Sequence, residues 1–179
     1  MPPPTPTPPS APPSPPLTAP LRLPDEAATL DLGAALAKIL SPGLIITLSG
    51  DLGTGKTTLT RGLLRALGHT GPVKSPTYTL VELYVISGYS VYHFDFYRFN
   101  SPEEWHDAGL DETFDGRAIC IVEWPEKAGG YPPPPDLEIT LSVDGEARQV
   151  SIRGKSERGT SCLSDLRIPL SAQRRTSVS

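Results

Sequence analysis

Eight consecutive residues, Gly50-Asp51-Leu52-Gly53-Thr54-Gly55-Lys56-Thr57, carry the most specific chemical signal in the chain. They match the pattern of a glycine-rich turn closed by Lys and Thr, which binds phosphate. Glycines reach backbone conformations that other residues resist, and they let main-chain amides come close to an anion. Successive N–H groups form a concave nest, and a following helix adds the positive end of its dipole. Lys56 would set its charge beside the β- and γ-phosphates, and the Thr57 hydroxyl could reach a Mg²⁺ ion that bridges them. Thr58, one residue on, is placed to donate to the α-phosphate.

Such a loop needs an acidic partner for the metal. Asp95 follows Val91-Tyr92-His93-Phe94, and Glu123 follows Ile119-Cys120-Ile121-Val122. Both acids stand where apolar runs end, and open α/β sheets bind ligands at the carboxyl ends of their strands. A carboxylate there can hold Mg²⁺, directly or through water, or orient a hydrolytic water. His93 shares a strand face with Asp95. With no other ligand nearby in sequence it reads as a structural histidine. Tyr97 and Trp124 read as core or rim, and Arg98 as half of an ordinary ion pair. No Asn-Lys-x-Asp occurs, which disfavours a guanine-reading GTPase.

The elements that must position these groups are legible. Leu21–Leu23 is a short strand. A helix starts at Pro24-Asp25-Glu26 and carries Ala28, Leu32, Ala35, Leu36, Ile39 and Leu40 at helical spacing, until Pro42-Gly43 stops it. Leu44–Leu48 is a nearly continuous apolar run, the pattern of a strand covered on both faces. The glycine loop comes next, and then a helix with Leu59, Leu63, Leu64 and Leu67 on one side, ended by Gly68. This is the strand–loop–helix setting the motif requires. Residues 79–86 and 90–96 are expected to pair antiparallel across Ser87-Gly88-Tyr89. Ser101 would cap a helix over 101–109, with Pro102 and two acids in its first turn. Ala118–Val122 is a buried strand, and 137–143 with 147–152 form a hairpin around Asp144-Gly145. The sum is a single α/β domain, a P-loop NTPase-like mixed β-sheet flanked by helices.

Composition sets the outer limits. The chain has 179 residues, net charge −4 and 22 prolines. Its length is that of one domain. No run approaches the ~20 apolar residues of a membrane helix, so no membrane partner is expected. The N-terminus lacks the pattern of a secretory signal. Two cysteines, Cys120 and Cys162, make no disulfide framework or metal-ligand spacing, so a reducing cytoplasmic setting is the default. Residues 1–20 are proline-rich and uncharged and read as a disordered tail. Residues 21–153 form the domain, and 154–179 read as a flexible Ser/Arg-rich tail.

Four segments together resemble the bacterial TsaE (YjeE) family in order and spacing: Gly50–Thr58, Val73–Leu80, His93–Arg98 and Val122-Glu123-Trp124-Pro125. Leu23–Thr29 resembles that family's opening, and the similarity spans roughly 21–153. The resemblance implies an ATPase with ATP and Mg²⁺ as cofactors. It would act with TsaB and TsaD in forming threonylcarbamoyladenosine at position 37 of tRNA, touching tRNA only through the complex. Carried over, Lys56 and Thr57 hold phosphate and Mg²⁺, Asp95 is the Walker-B-type acid, and Glu123 is the essential acid near metal and water. Thr77 falls in a switch-like segment, and Asp25 and Glu26 lie by the adenine. Two other readings stay open on the residues alone: a small-molecule kinase with the same loop, and a non-catalytic nucleotide switch.

Overall fold

The computed structural model describes residues 20–174. The proline-rich leader, apart from Pro20, and the last five residues lie outside the described residues. Among the described residues, eight strands form one sheet: β1 Leu21–Leu23, β2 Ile45–Ser49, β3 Val81–Ile86, β4 Tyr89–Asp95, β5 Ile119–Glu123, β6 Leu137–Asp144, β7 Ala147–Gly154 and β8 Gln173–Arg174. Their order is β3-β4-β5-β2-β6-β7-β1-β8. The four central strands β4, β5, β2 and β6 run parallel, and the outer pairings are antiparallel. This is the mixed sheet flanked by helices that the patterning implied.

Alternation along the strands divides the core in two. Ile119 and Ile121 of β5 join Ile46 and Leu48 of β2 in the larger cluster, with Leu32 and Leu36 of helix α1 (Glu26–Ala37) and Leu59 and Leu63 of helix α2 (Lys56–Leu67). Cys120 and Val122 face the other way, into an aromatic cluster of Phe94, Phe96, Phe99 and Trp105. Trp105 lies in the four-residue helix α3 (Glu104–Asp107). The parity matters for function. Glu123 follows Ile119 and Ile121, and His93 and Asp95 follow Val91, so all three acid or imidazole side chains project from the α1–α2 face of the sheet.

Local signals explain most boundaries. Asp25 caps α1, its carboxylate accepting from the Ala28 amide at 2.8 Å. Gly68, left-handed at φ 113°, closes α2. Helix α1 ends at Ala37, ahead of Pro42-Gly43; Ile39 and Leu40 stay buried in the connection that follows. Two expectations need correction. Ser101 caps no long helix. The Glu104 carboxylate accepts from the amides of Asn100 and Ser101, which holds the backbone in a turn and leaves only one helical turn behind it.

The second correction concerns the stretch after 153. Helix α4 (Glu157–Ser164) is capped by Ser156, whose hydroxyl accepts from the Gly159 amide, and it buries Leu163 against the main core. Leu166 and Ala172 are buried too, and β8 pairs with β1. The ordered domain therefore runs to residue 174 rather than 153. The physical reason is a hub at Asp136, just before β6. Its carboxylate accepts from the Ile45 amide at 2.9 Å, the Ser156 hydroxyl at 2.6 Å and Arg158 Nη2 at 2.7 Å, tying α4 to the start of β2. Among the described residues, no helix is long and apolar enough to cross a membrane.

Candidate functional site

The glycine loop leaves the carboxyl end of β2, the strand at which chain order reverses between β5 and β6. Gly50 sits at φ 145°, and a Cβ there would stand 2.3 Å from the Leu141 carbonyl oxygen of β6, so only glycine fits. Gly55, at φ 101°, turns the chain into α2, leaving Lys56 and Thr57 in that helix's first turn. The Thr54 hydroxyl donates to the Asp51 carbonyl at 2.9 Å and stiffens the turn. Arg148 of β7 donates to the Gly53 carbonyl at 3.0 Å from the other side.

Lys56 is 5 % exposed, and its ammonium folds back on the loop, donating to the carbonyls of Gly50 at 2.5 Å and Asp51 at 2.8 Å. The ring of Trp124 lies 4.5 Å away. Burial lowers the Lys56 pKa below the ordinary lysine range, and the charges of Glu123 and Asp95 oppose that shift. Lys56 thus sits among acids without being locked to either, its donors placed on replaceable carbonyls.

Register brings the two acids together. In the parallel pairing of β4 with β5, Asp95 stands opposite Glu123. Both are buried, at 3 % and 2 % exposure. Glu123 Oε1 accepts from the Thr57 hydroxyl at 3.0 Å and contacts His93 Nε2 at 2.8 Å. Asp95 Oδ2 accepts from the hydroxyls of Ser75 and Thr77, the latter at 3.1 Å, and its Oδ1 from the Tyr97 amide at 2.8 Å. Trp124, left-handed at φ 58°, follows Glu123 and packs its ring 5.0 Å from that of Tyr97 at the rim.

Lys56, Thr57, Asp95 and Glu123 therefore converge as the sequence suggested. A cleft of about 220 Å³ opens between the loop, Thr57 and Glu123, with Leu52, 64 % exposed, at its edge. A second, of about 160 Å³, opens where Thr58 meets Asp25, Glu26 and Arg148. Arg98 stands apart. It is exposed and stacks its guanidinium 3.9 Å over the Tyr78 ring in place of the ion pair expected of it. Sequence reasoning missed the contact of His93 with Glu123, though its strand parity with Asp95 was a signal. It also gave no role to Ser75, though Ser75 lies in the Val73–Leu80 segment, and missed Arg148, which no local pattern marks.

The donor set suits Mg²⁺. Thr57, Asp95 and Glu123 offer hard oxygens, the ligands this ion takes. Among the described residues no group of three or more His, Cys, Asp or Glu side chains is arranged to hold a metal. Mg²⁺ bound through one or two carboxylates together with substrate phosphates needs no such cage.

Residues 23–150 match the family model described as "Threonylcarbamoyl adenosine biosynthesis protein TsaE". The chain belongs to the TsaE family. The tRNA threonylcarbamoyladenosine biosynthesis protein TsaE of Haemophilus influenzae is 42% identical over 147 residues, covering 79% of this chain and 93% of its own. The Bacillus subtilis protein of the same name is 42% identical over 124 residues, covering 69% and 75%. The crystal structure of Bacillus subtilis YdiB superposes with a TM-score of 0.70 at 30% identity, over 81% of this chain and 90% of that one. The matched TsaE segment contains the loop, both acids, His93 and the 75–77 turn, and it stops short of α4.

Proposed function

We propose that this chain is a MgATP-hydrolysing accessory protein of tRNA threonylcarbamoyladenosine biosynthesis, acting with TsaB- and TsaD-type partners on the modification at position 37. Support for the process comes from relatives named for it. Support for hydrolysis comes from one observation above all: Glu123, buried beside Lys56, is hydrogen-bonded to the first-turn Thr57 of the helix that the glycine loop opens.

The chemistry follows from that placement. Loop amides and the α2 N-terminus bind the triphosphate, and Lys56 exchanges its carbonyl partners for phosphate oxygens. Thr57, Asp95 and Glu123 would hold Mg²⁺, which, when bound, neutralises charge on the phosphates. Glu123 orients the attacking water. Such chemistry depends on positioning and charge stabilisation rather than a covalent intermediate. On this reading Lys56 is the cation at the phosphates, hydrolysis is slow alone, and the cycle is coupled to the partner complex.

Phosphate release measured with and without TsaB–TsaD-type partners and tRNA tests substrate, partner and role together. The expected result is weak hydrolysis alone and faster hydrolysis with the complex. Phosphate transfer to a small acceptor would favour a kinase instead. ATP left intact through repeated rounds of partner association would favour a nucleotide-gated switch.

A further inference from the structure

We propose that His93 is a positioning residue for Glu123, holding one carboxylate oxygen so that the other is presented to the reacting centre. The inference rests on the hydrolysis reading above. His93 lies in the interior of the sheet with no exposed surface, between β3 and β5. Its side chain makes one polar contact among the described residues, Nε2 to Glu123 Oε1 at 2.8 Å. Its Nδ1 is buried without a hydrogen-bond partner. A buried polar atom left unpaired costs stability, and an apolar residue of similar volume would serve the core better. The imidazole is therefore explained by what Nε2 holds and not by packing.

The geometry points the same way. An ionised carboxylate only accepts, so the proton of the contact resides on Nε2. Two donors then converge on Oε1, His93 from the sheet and Thr57 from α2, while Oε2 has no donor among the described residues. Thr57 belongs to the helix opened by the phosphate loop. His93 is fixed by ladders on both flanks, so it is the donor whose position does not depend on what the loop binds. A catalytic carboxylate must be held to within about 0.5 Å of its working geometry by just such a neighbour.

The test uses the full chain with partners and tRNA. His93→Leu removes the donor and roughly keeps the volume; His93→Gln restores an N–H near the Nε2 position. Expected for H93L is a fall in kcat of at least tenfold, with KM for ATP within about twofold of wild type; H93Q recovers most of the loss. On a Glu123→Ala background, H93L should cost nothing further, because the two act as a unit. Wild-type kcat in H93L, or a loss that persists undiminished in E123A or is not relieved by H93Q, overturns the proposal. Should H93L not fold, the wild-type imidazole decides, by ¹⁵N NMR of the Nε2–H signal. Glu123→Gln is expected to move that signal and Lys56→Ala to leave it in place; an Nε2 signal indifferent to E123Q overturns the assignment. If wild type releases no phosphate under any condition, the hydrolysis reading fails, and the same signal still decides whether His93 holds Glu123.

Discussion

The two ends of the central strands treat buried carboxylates in opposite ways. At the amino end of β2, Asp136 is saturated by a guanidinium, a hydroxyl and a main-chain amide. At the carboxyl end, Glu123 and Asp95 take hydroxyls, an imidazole and one amide, while the nearest ammonium, Lys56, is satisfied by carbonyls. A carboxylate closed by a committed cation has its charge neutralised in place. Carboxylates held without a Lys or Arg partner among the described residues, beside an ammonium that bonds to carbonyls, keep their charge available. All three carboxylates are buried, at 7%, 3% and 2% exposure, yet one is committed to structure and two keep charge available to a ligand, and the partners decide which.

Lys56→Ala should widen that contrast most. Nucleotide affinity is expected to fall by about a thousandfold, roughly 4 kcal/mol, since a desolvated charge at the phosphates is lost. Titration calorimetry with MgATP measures it, and undiminished affinity would dissolve the functional half of the comparison. Glu123→Ala comes next: hydrolysis down about a hundredfold, with ATP binding preserved, read by phosphate release beside a binding assay. Equal hydrolysis without Glu123 would show that its role is misassigned.

At the other end, Asp136→Ala leaves the Ile45 amide and the Ser156 hydroxyl without their acceptor and takes from Arg158 its carboxylate, though the guanidinium keeps the Gly43 carbonyl. It should cost about 2 kcal/mol in chemical denaturation, with hydrolysis per folded molecule unchanged. A loss of turnover without a loss of stability would erase the division between the two ends. Arg158, 46% exposed at its side chain, is worth less, about 1 kcal/mol on replacement by Ala.

The pH dependence should carry the same signature. Burial raises the Asp136 carboxyl, but hydrogen bonds from Arg158, Ser156 and the Ile45 amide outweigh it and hold its pKa below the usual value of 3.8. A carboxyl depressed on folding stabilises the protein above its unfolded pKa and loses that contribution as pH falls through the folded one. Denaturation midpoints should therefore drop below about pH 4 in wild type and drop less in Asp136→Asn.

Much of this was legible in the sequence because it is short-range. The β2–loop–α2 unit follows from an apolar run, glycines and an amphipathic helix within 24 residues, and Asp25 marks its own cap. Helix α4 was legible in principle, since Ser156 and Glu157 form a start signal, but a Ser/Arg-rich composition obscured it and the anchoring partner, Asp136, lies 20 residues earlier. Ser101 misled because the Ser-Pro-Glu-Glu signal yields only a turn: the Glu104 carboxylate folds back on the amides of Asn100 and Ser101, and the helix that follows is four residues long, with no side-chain cap.

Sterics and periodicity, acting between neighbours, were enough for the chain to declare a phosphate-type loop and two acids at strand ends. Whether those acids meet it is a matter of parity and register across strands that are not adjacent in sequence. Only the packed sheet set Asp95 beside Glu123, turned both toward α2, and placed His93 on Glu123 and Ser75 on Asp95. A slip of one residue in β5 would have sent Glu123 into the aromatic cluster on the opposite face, with the local sequence unchanged.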